Sequence, residues 1–239
     1  MITQSAVLKI RSDLNQKGYA IHSSDKSKKA EIKKYHWSLV KKLGLPSAHN
    51  DGKEDYIWEI SAKQSTSSIK TYSEHSQKAN LHTDSQYRNN PEKYFSLSSI
   101  QMANCGGGQT EILDFKKLYA SIKNNSWFKE LYEVYPIAIP DVFQSAQERI
   151  VYQPIIKENP FIRFRTDTIL KGFDLVNEPL ESKKRKAFKL LEEEILNSNL
   201  IEKFYLKKGQ IIIIDNHRVL HGRSAFKDSK RLLLRIRFN

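Results

Sequence analysis

One cysteine, Cys105, is all that the 239 residues offer, so no disulfide can form within the chain and the composition suits a reducing cytosol. Long apolar runs are missing as well: none approaches the roughly 18 residues that a membrane-crossing helix requires. The first sixteen residues, MITQSAVLKIRSDLNQ, are broken by polar side chains every few positions and lack the apolar core of a signal peptide. A cytoplasmic protein with no membrane partner is therefore expected. Acidic residues are scarce, 27 Asp+Glu against 40 Lys+Arg, for a formal charge of +13. Such a field can attract nucleic acid, membrane or anionic metabolites. The basic residues are scattered, however, as KSKKAEIKK, LKK and SKKRKAFK, without interleaved aromatics, and no nucleic-acid-binding module is recognisable. The charge reads as background, and nucleic acid is not the expected partner. Repeats, low-complexity tracts and linkers are absent too, so residues 1–239 read as one domain, a size that all-β folds commonly reach undivided. Hydrophobic residues at 39% suffice for a sizeable core.

Apolar positions at Ala6, Val7, Ile10 and Leu14 predict a helix over Thr3–Gln16, broken by Gly18 before a strand at Tyr19–His22. A second helix is expected over Ser27–Leu43, stopped by Gly44-Leu45-Pro46. Tyr56–Ile60 reads as a strand. The polar stretch Ser61–Lys78 reads as a mobile loop, and loops of that length inside a compact domain are either lids or disordered segments. Tyr94–Ala103 and Thr110–Leu113 read as strands, separated by a glycine turn at Gly106–Gly108. Phe115–Tyr135 reads as one helix ended by Pro136, and Glu181–Leu196 as another. Ile150–Ile156 and Pro160–Thr168 are strand-like, with Phe161, Arg163 and Arg165 on one side. The unbroken apolar run Ile211–Ile214 implies a strand buried on both faces. Strands preceded by helices make this an α+β chain with a β core.

The stretch that carries chemistry is Asn80–Asn89, NLHTDSQYRN. His82 and Asp84, two apart on extended backbone, project to the same side. They make two thirds of a 2-His-1-carboxylate triad, the set that holds non-heme Fe(II) with open positions. H-x-D alone is more often a solvated turn. The C-terminal stretch Gly209–Phe238 supplies further histidines, His217 and His221, and the pair Arg231 and Arg235. From the residues alone His221 or His217 can complete the set, and Asp215 is a rival carboxylate.

Three blocks together, HTDSQY at His82–Tyr87, GGGQTEILD at Gly106–Asp114, and DNHRVLHGRSAF with RLLLR at Asp215–Arg235, resemble the TauD/TfdA and clavaminate-synthase-like Fe(II)/2-oxoglutarate-dependent oxygenases. The resemblance covers Leu81 to the C-terminus, by pattern alone between Phe115 and Lys208, and only weakly the first eighty residues. It implies a double-stranded β-helix, a jelly-roll core with flanking helices. It implies His82, Asp84 and His221 as metal ligands and catalytic centre, with Gly222 leaving room beside the metal. The cofactors implied are Fe(II), 2-oxoglutarate and O2. Arg231 matches the arginine that receives the far carboxylate of 2-oxoglutarate, a task suited to its planar fork. Thr110 matches a threonine on the same carboxylate, though β-propensity alone also explains a threonine there. The reaction implied is oxidative decarboxylation of 2-oxoglutarate to succinate and CO2, coupled to hydrogen abstraction from an unactivated C–H bond. Hydroxylation is its expected outcome, with desaturation or cyclisation starting from the same step. Asp84 argues against chlorination, because halogenases of this kind lack the carboxylate.

Arg235 lies four residues after Arg231, hence on the same strand face. With no carboxylate assigned to it, it is expected to hold an anionic group of a small substrate, such as an amino acid or derivative, with Arg163 or Arg165 joining it. A salt bridge to a protein Asp or Glu is the competing explanation. Two further readings stand beside this one: the same chemistry on a nucleic acid or protein, and a non-catalytic metal-binding barrel.

Overall fold

The computed structural model describes residues 2–48, 55–62, 73, 75–143, 148–157 and 161–239. In chain order the elements are α1 (Gln4–Lys17), β1 (Tyr19–Ser23), α2 (Lys29–Leu43), β2 (Pro46–Ser47), β3 (Trp58–Ile60), β4 (Ala79–His82), β5 (Tyr94–Gln101), β6 (Thr110–Asp114) and α3 (Phe115–Ile122). There follow β7 (Val134–Ala138), β8 (Ile150–Pro154), β9 (Ile156–Lys157), β10 (Phe161–Ile162), α4 (Thr166–Leu175), α5 (Lys183–Leu196), β11 (Glu202–Phe204), β12 (Gln210–Asp215), β13 (Val219–Arg223) and β14 (Leu232–Phe238).

Two antiparallel sheets form the core. The larger runs β1-β12-β5-β14-β2, with β3 also on β14, and the smaller runs β11-β6-β13-β4. This is the α+β jelly-roll arrangement. Strand β12 shows why its sequence is apolar throughout. Ile211 and Ile213 pack outward against Ile10, Leu14, Leu39 and Val40 of α1 and α2, while Ile212 and Ile214 join Phe95, Ile112 and Val219 between the sheets. Strand β14 alternates differently: Ile236 and Phe238 lie in the outer cluster with α1 and α2, and Leu233 in the inner one. Period two then directs Arg235 and Arg237 inward beside Leu233. The outer side of the smaller sheet, through Leu81, Leu113 and Leu220, is covered by Phe115 and Leu118 of α3, Phe173 of α4 and Phe188 of α5.

Three local expectations change. The helix starting at Phe115 stops at Ile122, because Asn124-Asn125-Ser126 favour a turn; the Asn125 amide bonds back to Ile122 and a 3₁₀ turn follows over Phe128–Tyr132. Pro136 ends no helix and sits inside β7, a two-stranded ribbon with β8 where a missing amide is tolerated. Of Pro160–Thr168, Pro160 lies outside the described residues and the rest is a strand only at Phe161–Ile162, since the chain enters α4 at Thr166. The Ser61–Lys78 stretch lies mostly outside the described residues. Among the described residues no helix is long and apolar enough to cross a membrane.

Candidate active site

His82 ends β4 and His221 lies directly across from it on β13. The register slips between His221 and Arg223, so β4 carries an extra residue there, a bulge of the kind that re-aims a side chain. At this point the Asn80 carbonyl accepts from His82 Nδ1 at 2.7 Å. That bond fixes the proton on Nδ1 and leaves the Nε2 lone pair for a ligand. Asp84 follows in a turn that passes through Ser85 at φ 55°. Its Oδ1 lies 3.8 Å from His82 Nε2 and 3.7 Å from His221 Nε2. One donor atom from each of the three residues falls within 4.8 Å of the others, and all three side chains are buried. Gly222 lines the pocket beside His82 and His221 and also lets β13 close on β4, since a Cβ there would stand 2.7 Å from the Ala79 carbonyl.

Burial sets the protonation states. It lowers His82 to about 4 despite Asp84, and lowers His221 well below its ordinary value, with His82 adding to the effect. Burial pushes the Asp84 carboxyl up, but Arg235 and Arg237 outweigh it and hold the group far below the usual carboxylate range. Two neutral imidazoles and one carboxylate are the result, a donor set that fits Fe(II) with positions left open.

The backbone of Asp84 is fixed by Asn216, whose role is not readable in the sequence. Asn216 Oδ1 accepts from the Asp84 amide at 2.7 Å, and its Nδ2 donates to the carbonyls of Asp84 (3.1 Å) and Glu92 (3.0 Å). Thr83 ties the same turn to the segment between β10 and α4 through Phe164, donating its amide to the Phe164 carbonyl at 2.8 Å and accepting at Oγ1 from the Phe164 amide at 3.0 Å.

Two adjoining pockets meet at His82 and Arg235. The first contains His221, Thr110, Arg223 and Arg231. Arg231 is 7% exposed, lies over the Phe226 ring at 5.1 Å, and has no carboxylate partner among the described residues. Burial, with Arg223 adding to it, lowers Arg231 to about 10, so it remains a cation at neutral pH. A buried guanidinium without a counterion fits a dianionic cosubstrate such as 2-oxoglutarate. Gly108, at φ 78°, leaves the space: a Cβ would approach Arg231 Nε to 3.2 Å. The second pocket contains Asp84, Tyr87, Phe143, Arg165 and Arg237.

The structure treats the substrate arginines unequally. Arg235, read from sequence as lacking a protein carboxylate, has one: its Nη1 donates to Asp84 Oδ2 at 2.8 Å, and its guanidinium stacks 4.6 Å from the Trp58 ring. The competing salt-bridge explanation therefore describes Arg235. Arg163 lies elsewhere, donating to the Asn89 carbonyl at 2.9 Å and packing on Phe161, where it supports the loop after the triad. Arg165 does reach the second pocket, bound in two 2.8 Å contacts to Asp167. Arg237 was not singled out, although its spacing of two from Arg235 is a visible signal. The rival ligands are excluded from the cluster: His217 Nε2 meets the Pro91 carbonyl at 3.0 Å, and Asp215 Oδ1 accepts from the His217 amide at 3.1 Å.

Solved structures share this architecture. One is the non-heme iron oxygenase OrfP in complex with Fe and alpha-ketoglutaric acid, at TM-score 0.74 and 18% identity, over 100% of this chain and 81% of that one. Another is OrfP with Fe, succinate and (3S)-hydroxy-L-Arg, at 0.75 and 16%, over 99% and 81%. A third is an asparagine oxygenase with Fe(II), 2S,3S-3-hydroxyasparagine and succinate, at 0.75 and 15%, over 98% and 77%. No curated protein sequence matches the chain. The family model described as "Taurine catabolism dioxygenase TauD, TfdA family" matches residues 44–237.

Proposed function

The chain belongs to the TauD/TfdA family and is a non-heme Fe(II)/2-oxoglutarate-dependent dioxygenase, and from that premise we propose that it hydroxylates an unactivated C–H bond of a small anionic metabolite, an amino acid or derivative. The observation that carries this reading is the convergence of His82, Asp84 and His221 beside a buried Arg231 that has no carboxylate partner among the described residues. His82, Asp84 and His221 would hold the iron, and Arg231 with Thr110 the far carboxylate of the cosubstrate. When bound, iron and 2-oxoglutarate couple the reduction of O2 to decarboxylation of the cosubstrate, releasing succinate and CO2.

The chain's own residues do the positioning. Asn80 sets the His82 tautomer, and Arg235 fixes the Asp84 carboxylate by its second oxygen, leaving Oδ1 toward the imidazoles. The pocket on the Asp84 side supplies cations and the stacked pair Tyr87 and Phe143, 5.7 Å between ring centroids, as a wall. The amino-acid class is supported by the products bound to OrfP and the asparagine oxygenase. The test is an anaerobic titration with Fe(II), 2-oxoglutarate and an amino-acid library, followed by oxygen. Succinate release matched by a product one oxygen heavier is expected for one class of compound. Succinate at the same low rate with every compound would count against an amino-acid substrate.

A further inference from the structure

We propose that the substrate carries two acidic groups, as an acidic amino acid does, and that Arg237 receives the second of them. The inference rests on the oxygenase reading above and deepens it. Its basis is a charge imbalance in the cleft. Arg165, Arg223, Arg231, Arg235 and Arg237 line the two pockets, whereas Asp84 is the one lining carboxylate among the described residues.

Two of the five are accounted for. Arg165 is bound on both sides of its fork by Asp167, and Arg223 Nη2 donates to the carbonyls of His75 and Gln77. Arg231 faces the cosubstrate side. Arg235 and Arg237 share Asp84 unequally: Arg235 Nη1 is hydrogen-bonded to Oδ2 at 2.8 Å, while Arg237 Nη2 stands 3.6 Å from that same oxygen. Arg237 is 6% exposed and its Nε has no partner among the described residues. A buried charge in that condition is unfavourable unless a ligand supplies the counter-charge.

The net charge of the loaded site points the same way. A divalent iron and a dianionic cosubstrate cancel. Setting aside Arg165 and Arg223, which the protein itself binds, Asp84 offsets one of Arg231, Arg235 and Arg237, which leaves two positive charges among these three for the substrate to meet. A zwitterionic amino acid brings no net charge, so its carboxylate is offset by its own ammonium. A second acidic group makes the ligand anionic. A cationic side chain would add to the imbalance.

The test uses the protein loaded with Fe(II) and 2-oxoglutarate under argon, titrated calorimetrically with L-aspartate, L-asparagine, L-glutamate, L-glutamine, L-2-aminoadipate and L-arginine. Aspartate and asparagine, like glutamate and glutamine, have nearly the same shape and differ by one charge, and L-2-aminoadipate extends the acids by one methylene. At least one acid should bind about tenfold or more tightly than its amide, and L-arginine should bind worst. In Arg237→Gln the acid-to-amide ratio should fall to about two or less, and in Arg237→Lys most of it should return. Equal or better binding of the amides, no binding by any acid, or an unaltered ratio in Arg237→Gln overturns the inference. Should Arg237→Gln fail to fold, the wild-type ratio decides whether a second acidic group is bound, and Arg237→Met, read by the same ratio, decides whether Arg237 receives it. On admission of oxygen, succinate released with the amides but not the acids sinks the diacid and leaves the oxygenase standing. No metal-dependent 2-oxoglutarate binding and no succinate with any compound sinks both.

Discussion

His217 and His221 stand four residues apart, one facing an open groove of about 920 Å³ and the other the closed cleft between the sheets. Each has a carboxylate and several cations for company. In the groove these are Asp215, Lys93, Lys116, Lys157 and Arg218. There every polar capacity is engaged or wet. His217 Nε2 meets the Pro91 carbonyl, and Arg218 is taken up by Asp114 and by the carbonyls of Asn15 and Gln16. The three lysines are exposed. In the cleft the opposite holds: His82 and His221 point Nε2 at one oxygen, and Arg231 has no acidic partner among the described residues. The larger concavity is thus the less reactive one. What distinguishes a site here is convergence with unsatisfied capacity, and the residue types do not.

The largest expected effect separates the two histidine environments. His82→Ala should abolish both Fe(II) binding and succinate release while the fold persists, because only one of three ligand donors and little packing are removed. His217→Ala should keep both, since among the described residues its ring bonds to the Pro91 carbonyl and packs on Phe161, outside the ligand cluster. Metal titration and succinate assay of the two variants side by side check this. Comparable losses in both would erase the distinction between cleft and groove.

Cations provide the second contrast. With Arg231 holding the cosubstrate carboxylate as proposed, Arg231→Ala removes a buried charged partner, a loss of about 3–5 kcal/mol, so 2-oxoglutarate affinity should drop by orders of magnitude. Lys157→Ala removes an exposed charge in the groove and should leave that affinity within about twofold. A wild-type affinity in Arg231→Ala would remove this arginine from the cosubstrate pocket.

Much of this contrast was legible before any coordinates. The H-x-D pair, the glycine turn before Thr110 and the isoleucine run ahead of His221 each carry a local signature, and period two alone puts Arg235 on the face of Arg231. What was not legible depends on partners far away in sequence. Asn216 looks like any turn asparagine until it meets Asp84 132 residues earlier. Arg235 reads as unpaired in the sequence because Asp84, 151 residues away, reads as a metal ligand, yet one carboxylate has two oxygens. Arg163 shared the spacing of Arg165, but the chain turns into α4 and sends the two to different places. Helix α3 was overextended because apolar periodicity continued past a turn that Asn-Asn-Ser should have marked.

A third buried histidine asks whether unsatisfied capacity suffices without convergence. His36 on α2 meets Ser96 Oγ at 2.7 Å through Nε2, while its Nδ1 has no partner among the described residues. Among the described residues His36 belongs to no cluster of metal-ligating side chains. Burial lowers it from 6.5 to about 3. The folded state therefore refuses a proton that the unfolded state accepts below pH 6.5. Stability is full above that pH and should fall by up to ~1.4 kcal/mol per pH unit as pH drops toward 3. His36→Gln should flatten the acid limb of a stability–pH curve by about one proton without altering Fe(II) affinity. Parallel curves for the two proteins would show that His36 titrates normally.

The smallest effect is expected where the two regions meet. The turn Asp215–Arg218 sends Asp215, His217 and Arg218 into the groove and only Asn216 inward. Its amide acts on both ends of the Asp84 residue at once, accepting from the N–H and donating to the C=O, and it donates again to Glu92. That clasp holds the backbone through a turn whose next residue, Ser85, sits at positive φ, a conformation costly for a side chain. Without it, Thr83 still ties the turn to Phe164 and Arg235 still holds one carboxylate oxygen, but the Asp84 backbone between them loses its own clasp. Asn216→Asp keeps the shape and the acceptor but replaces two donors by an oxygen facing two carbonyls. Outer contacts of this kind are commonly worth about 10–100-fold in metal affinity. Fe(II) affinity should fall by that factor, while 2-oxoglutarate affinity, measured at saturating iron, should change less. A purely structural role would lower the melting temperature and leave the metal affinity of the folded fraction intact. That outcome would place Asn216 with its neighbours in the groove, as part of the scaffold.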